Sequence, residues 1–375
     1  MNSFTSNERC DWIQLIRTPN IGPITFHRLI AKYGTASDAL AALPELSRKA
    51  GRKTPFKASE RSAAEAELKN ADRRGAQIIA ACEDEYPLAL KAIPDHPPIL
   101  YVRGHLSLFE KPGIAIVGAR NASGVGRKMA RMLATELGEA GYVVVSGLAR
   151  GIDGAAHAAS LTTGTIAVVA GGVDVIYPPE HDTLTENIAN QGAVISESPM
   201  SAKPTARDFP KRNRLISGLS RGVIIVEAAA RSGTLLTANF ALDHGREVFA
   251  VPGSPLDPRC QGANRLIRDG ATLIENANDV IEALAAQSGG GMQSPGRDLF
   301  DWAGNDGMDE PDPVALISLR RTLLELLSFT PLHRDEIRRE VDASPGLVAD
   351  ALLELVLSGE ALEHDGGRFS LNPDN

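Results

Sequence analysis

Between residues 113 and 285 short apolar runs recur, each followed by a glycine-punctuated segment of helical pattern: GIAIVG, YVVVSG, TIAVVAGG, AVISE, GVIIVEA, REVFAVPG and ATLIEN. Nothing else in the chain limits its possible folds so strongly. The runs are β-branched and apolar with little alternation, the pattern of strands covered on both faces. Strands alternating with helices predict an α/β domain with a Rossmann-like, doubly wound, mostly parallel sheet. Such sheets take ligands outside the carboxyl ends of their strands, so chemistry is to be sought in the segments that follow the runs.

The first run leads into Gly118-Ala119-Arg120-Asn121-Ala122-Ser123-Gly124-Val125-Gly126. This is the strand–glycine–helix layout of a dinucleotide phosphate loop without its G-x-G-x-x-G spacing. Arg120 stands where the second glycine would let a pyrophosphate approach, and the second run ends in Ser146-Gly147 rather than in a ribose-binding acid. Both departures turn the reading from a dinucleotide toward a phosphate met by a guanidinium and the N–H groups of a helix start. The fifth run ends at Glu227, and Arg231-Ser232-Gly233-Thr234 then opens a helix as a second anion site. The candidate phosphate-loop residues are therefore Gly118, Ser123, Gly147, Ser232, Gly233 and Thr234. After the second run Asp153 reads as a helix N-cap. His157 lies one turn on, and with no nucleophile beside the pair it reads as a packed histidine.

Residues 203–222, KPTARDFPKRNRLISGLSRG, gather Lys203, Arg207, Lys211, Arg212, Arg214 and Arg221 against the single acid Asp208, in a chain whose net charge is −8. An acidic total argues against indiscriminate polyanion binding, so this affinity is local. Cations along a phosphate backbone with an aromatic ring, here Phe209, on which a base can stack are the pattern of a single-strand nucleic-acid groove. Arg120, the 203–221 cluster and Arg231 each follow a strand's carboxyl end or open the next helix, so a parallel sheet brings them to one rim.

At this length two or three domains are expected. Residues 1–85 read as a helical domain, 86–285 as the Rossmann-like domain, 286–312 as a Gly-, Pro- and Asp-rich linker and 313–375 as a winged helix. In the first, Thr18-Pro19-Asn20-Ile21-Gly22-Pro23 reads as the turn of a helix-hairpin-helix, with Asn20 in a left-handed conformation. In the last, Ser344 caps a third helix with Asp350 and Glu354 but no Arg, Lys, Asn or Gln, so a protein-contact or regulatory role is expected rather than DNA reading. Cys10, Cys82 and Cys260 are widely spaced, which suits a reducing cytoplasm and gives no metal-ligand spacing. No segment has the roughly 20 apolar residues of a membrane span.

GARNASGVG, VVSGLARGIDGAAH, GGVDVIYP, ISESP, FPKRNRLISGLS, IIVEAAARSGTLLTA and VFAVPG followed by QGANRLIRDGA, in this order over about residues 86–285, resemble the DNA-processing protein DprA (Smf) family. The flanking helical hairpin and winged helix are also similar to members of that family. The resemblance implies a cytoplasmic bacterial protein, not an enzyme and without cofactor or metal. It would bind single-stranded DNA, form a homodimer through its Rossmann-like domain and load RecA recombinase during natural transformation in competent cells. It carries the single-strand-binding role onto Arg120, Arg207, Phe209, Lys211, Arg212, Arg214 and Arg231. The Gly-Ser-Arg of many members is Gly118-Ala119-Arg120 here, which drops one hydroxyl donor. The rival class is a phosphoribohydrolase-like, nucleotide-binding enzyme on a related Rossmann layout. It requires a glutamate after its Gly-Thr loop, whereas Glu227 precedes that loop.

Overall fold

A computed structural model describes residues 4–49, 57–289, 313–364 and 367–372. The chain divides into two compact units, residues 1–65 with 293–375 and residues 66–292. Most of the expected linker, residues 290–312, and the hairpin tip at Asp365 and Gly366 lie outside the described residues.

The first unit starts with helices α1 (Ser6–Ile16), α2 (Pro23–Tyr33) and α3 (Ala36–Lys49). Thr5 and Glu8 cap α1 reciprocally, each side chain accepting from the other's backbone N–H. The α1–α2 turn has the expected conformation, with Asn20 at φ 67° and Pro23 opening α2. Ile13, Leu15, Phe26 and Leu29 are buried between these helices. Helix α4 (Arg61–Arg73) follows.

The second unit is built on a nine-stranded sheet. Its elements in chain order are β1 (Gln77–Ala80), α5 (Leu88–Lys91), β2 (Ile99–Gly104), β3 (Gly113–Val117), α6 (Gly124–Glu139), β4 (Val143–Ser146), α7 (Ile152–Ser160), β5 (Thr165–Val168), α8 (Asp182–Gln191), β6 (Ala193–Ser196), α9 (Asp208–Gly218), β7 (Gly222–Ile225), α10 (Thr234–Asp243), β8 (Glu247–Ala250), α11 (Gln261–Arg268), β9 (Thr272–Leu273) and α12 (Ala277–Gly289). Each apolar run of the sequence is a strand. The order is β1-β2-β6-β5-β4-β3-β7-β8-β9, parallel from β6 to β9, with β2 antiparallel to β6 and β1 antiparallel to β2. The sheet thus begins at Gln77, ahead of the expected boundary at residue 86, because a short meander extends its edge. Helix α6 buries Ala130, Leu133 and Leu137 against Ile114, Ile116 and Val144. At about 1.5–3 kcal/mol for each large apolar side chain so covered, this layer holds the sheet's centre rigid beneath its loops.

The chain lays β4, β5 and β6 on one side of β3, then crosses to β7 on the other. The carboxyl ends of β3 and β7, where the direction of winding reverses, form the crevice in which such sheets ordinarily take a ligand.

The remaining elements are α13 (Pro313–Leu326), β10 (Leu332–His333), α14 (Arg334–Glu340), α15 (Pro345–Ser358), β11 (Ala361–His364) and β12 (Arg368–Leu371). They make a winged helix whose core includes Leu323, Ile337, Leu352, Leu355 and Phe369. Ser344 caps α15 and accepts the Leu347 N–H at 3.3 Å, as expected. Strand β10 was not foreseen; it is only a two-residue pairing with β12.

Candidate functional site

The reversal crevice is already filled by the chain itself. The Glu227 carboxylate accepts the Ser123 N–H at 2.9 Å and the Ser123 hydroxyl, while Ser123 Oγ caps α6 by accepting the Gly126 N–H at 2.8 Å. A Cβ at Gly126 would strike that carboxylate. An internal anion thus sits where a phosphate would bind the start of α6. The expected phosphate role of Ser123 is corrected on this ground: its donors are engaged. Gly118 is a packing position, since a Cβ there would meet Ile152 and the Glu227 carbonyl.

The open site lies beside this crevice. A cavity of about 400 Å³ is lined by Arg120 and Asn121 after β3, Gly147–Arg150 after β4, Val169–Gly171 after β5, Tyr177 to Pro179, Pro204, and Phe209 and Arg212 of α9. The Phe209 ring lies 5.5 Å from that of Tyr177, and the Arg120 guanidinium stands 5.3 Å above it on a cation–π contact. Phe209 is half-buried, while Arg120, Lys203, Arg207, Lys211 and Arg231 are exposed. Asn213 of α9 donates to the Gly233 carbonyl at 3.5 Å, and Thr234 donates to that of Gly118 at 3.1 Å. The three basic segments of the sequence therefore meet: the first loop touches α9 through Arg120, and α9 touches the Ser232-Gly233-Thr234 loop through Asn213. Ser232 Oγ accepts the Thr234 N–H at 3.2 Å, so this loop's hydroxyls are also engaged.

Two arginines depart from expectation. Arg212 is only 6% exposed and floors the cavity, its Nη1 donating to the carbonyls of Gly147 and Val168. Burial pushes its guanidinium down to about 10, against the opposing pull of Asp153. Gly147 has no side chain because a Cβ would collide with this guanidinium, and its N–H goes to Asp153 at 3.1 Å, so it donates to no phosphate. Arg214 is 5% exposed and turned away from the cavity: it donates to the Asp95 carbonyl at 2.6 Å and pairs with the carboxylates of Asp95, at 3.3 Å, and Glu197. A guanidinium held in this way stands apart from the exposed cations around the cavity.

The loop after β4 is held in a demanding shape. Leu148 has φ 55°, unusual for a leucine, and Gly151 has φ 78° where a side chain would strike the Ala119 and Arg120 carbonyls. Asp153 fixes the loop by accepting from Gly147 and Ala149, rather than serving as N-cap, a position that Gly151 occupies. His157 is packed as expected. It is fully buried with Nδ1 at 2.7 Å from Thr165 Oγ1, and burial lowers its pKa to about 3.

Sequence reasoning missed Tyr177 and Arg150. Tyr177 is 46% exposed in a proline-rich turn, and an isolated tyrosine there carries no signal until its contact with Phe209 is seen. Arg150 pairs with Glu180. Among the described residues no cluster of His, Cys, Asp and Glu could hold a metal ion, and no helix is long and apolar enough to cross a membrane.

Three family models match the chain. DNA recombination-mediator protein A covers residues 77–285, the DprA-like N-terminal helix-hairpin-helix domain residues 6–70 and the DprA winged helix domain residues 309–367. Protein Smf of Synechocystis is 35% identical over 405 aligned positions, covering 98% of this chain and 99% of that protein. The crystal structure of DNA processing protein A from Streptococcus pneumoniae superposes with a TM-score of 0.63 at 34% identity, over 74% of this chain and 98% of that one. A Helicobacter pylori DNA processing protein A, studied for its single-stranded DNA binding mode, superposes with a TM-score of 0.52 at 31% identity, over 56% of this chain and 96% of that one. With its central sheet and both flanking domains matched, and a relative aligned along nearly its whole length, the chain belongs to the DprA/Smf family of DNA-processing proteins.

Proposed function

We propose that the protein binds single-stranded DNA without strict sequence preference, in the cavity beside the carboxyl ends of β3, β4 and β5, and that it does so as a binding protein and not as an enzyme. The observation that carries this reading is the half-buried Phe209 ring between Tyr177 and Arg120, in a cavity flanked by exposed cations. An unpaired base stacks on such a ring whatever its identity, and a duplex keeps its bases from it. Entry of a base displaces the Arg120 guanidinium from the ring face and frees it for a phosphate. The binding mode studied in the Helicobacter relative supports the ligand.

The rest of the reading extends from the family. The protein acts in the cytoplasm as a homodimer, protects incoming strands during natural transformation and delivers them to RecA recombinase. The name of the matching family, a recombination mediator, supports the recombination role. Hydrolysis of a nucleotide is disfavoured because Glu227, just past the end of β7, is already bonded to Ser123.

A salt titration of labelled dT oligomer and matched duplex tests the site. Phe209→Ala should cost about 1–3 kcal/mol for the single strand and leave the slope of log affinity against log salt unchanged. Lys211→Ala should make that slope shallower by about 0.7. Equal affinity for strand and duplex, or a Phe209→Ala protein that binds normally, overturns the reading.

A further inference from the structure

Within the winged helix Glu354 and Glu360 lie 3.6 and 2.7 Å from Arg320. Asp350 on α15 and Glu363 on β11 reach α2 in the amino-terminal helices of the same compact unit, Glu363 being attracted also by Arg334 of its own domain. Asp350 lies 3.0 Å from Lys32, and Glu363 lies 3.1 Å from Arg28. Arg28 and Lys32 are one helical turn apart and share a face of α2. The Arg28 guanidinium also stands 5.7 Å above the ring of Phe369, a fully buried member of the winged-helix core. The two pairs are physically unlike. The Glu363 side chain is 8% exposed, whereas the Lys32 and Asp350 side chains are 40% and 30% exposed. Removing one member of a desolvated pair leaves the other's charge buried and poorly compensated, whereas a wet pair contributes little.

We propose that the acidic side of the winged helix is a docking surface for its own chain, the α2 helix being its partner, with Arg28 as the anchor and Lys32–Asp350 as a peripheral clasp. The surface fits a basic helix and not a DNA groove. In an ordinary DNA-reading winged helix the third helix presents its side chains to the major groove. Here α15 buries Val348 and residues 351–355, and the acid it leaves at its edge, Asp350, already holds a lysine.

Carbodiimide treatment of the full-length protein tests this, because it joins an amine to a carboxylate only where the two are in contact. The expected result is an amide between Lys32 and Asp350, found by mass spectrometry of the digest, at a yield independent of protein concentration. Asp350→Asn should abolish it. Arg28→Ala, which removes neither coupled group, should lower the yield. If Arg28→Ala fails to fold, Glu363→Gln replaces it, since it keeps the side-chain shape and removes the charge. Absence of the amide, or a yield that rises with concentration and so reports a second copy as the partner, overturns the intramolecular assignment. An unchanged yield in the anchor variant overturns the role of Arg28.

Discussion

Arg212 carries a guanidinium to a place with almost no water, and that fixes what its loss should do. It bridges the carbonyls that end β4 and β5, and its charge balances the buried Asp153. Arg212→Ala leaves carbonyls without donors, at about 1–3 kcal/mol for a buried group, so a lower melting temperature is expected together with weaker DNA binding. A variant that binds poorly yet melts normally would return Arg212 to the role of a simple phosphate contact. His157 gives the pH counterpart. Its pKa falls from an ordinary 6.5 to about 3 on folding, so the unfolded chain takes up a proton that the folded one refuses. A depressed folded pKa contributes stability that is complete above pH 6.5 and is lost as the pH falls toward 3. Burial moves His96 in the same direction. At pH 5 the His157 loss is about 2 kcal/mol. Thermal melts between pH 8 and 4 should show this decline, and His157→Gln should flatten it. Sequence disclosed the packed histidine because no nucleophile stood near it. It could not separate Arg212 from Lys211, since adjacent cations on a helix look alike until the sheet beneath them is in place.

Helix α9 shows the same limit one level up. Its first half has an open side, where Phe209 is half-buried and Lys211 exposed, while residues 214–218 are buried all round. Helical spacing puts Arg207, Lys211 and Arg214 along one stripe, and the sequence marks Arg214 only as one more cation of the 203–221 cluster. The stripe is covered at its end by the segment around Asp95 and by Glu197 after β6, both distant in sequence. Tertiary cover of this sort leaves no periodic trace. The same covering makes Arg214 the tether that fixes how α9 presents Phe209. Arg214→Ala should leave two acids partly desolvated, destabilise the fold by about 3–5 kcal/mol and weaken strand binding, with the salt slope unchanged because no phosphate contact is lost. Lys211→Ala should do the reverse, changing the slope and sparing the melting temperature. A shallower slope for Arg214→Ala would show that its charge faces the DNA after all. Loop shape was equally hidden. The segment from Gly118 to Gly126 signalled an anion at the start of α6, but that the anion is the chain's own Glu227 required the crossing from β6 to β7.

At the scale of the whole chain, the first and last segments of the sequence share one compact unit. The α/β sheet, its parallel core and both flanking domains were legible, because two-sided burial and helix caps leave strong local patterns. The joining of residues 1–65 with 293–375 into one unit was not, because it depends on charges such as Arg28 and Glu363 meeting across most of the chain's length. The proposed site falls on one side of the same boundary. The cavity, Phe209, Tyr177, Arg120 and the exposed cations all belong to the 66–292 unit. The other unit has a core in its winged helix, and the acids of its third helix, Asp350 and Glu354, lie beside Lys32 and Arg320. A fragment of residues 66–289 should therefore fold and keep most of the single-strand affinity of the full chain, within about 1 kcal/mol. Removing residues 313–375 alone should also spare that affinity, but it strips Arg28 and Lys32 of their acids, so its salt slope should be no shallower than that of the parent. The measurement is dT-oligomer binding by the full chain and both truncations across salt. A loss of about 3 kcal/mol or more in the 66–289 fragment, over a hundredfold, would mean that the terminal unit holds part of the strand and that the groove extends beyond the sheet.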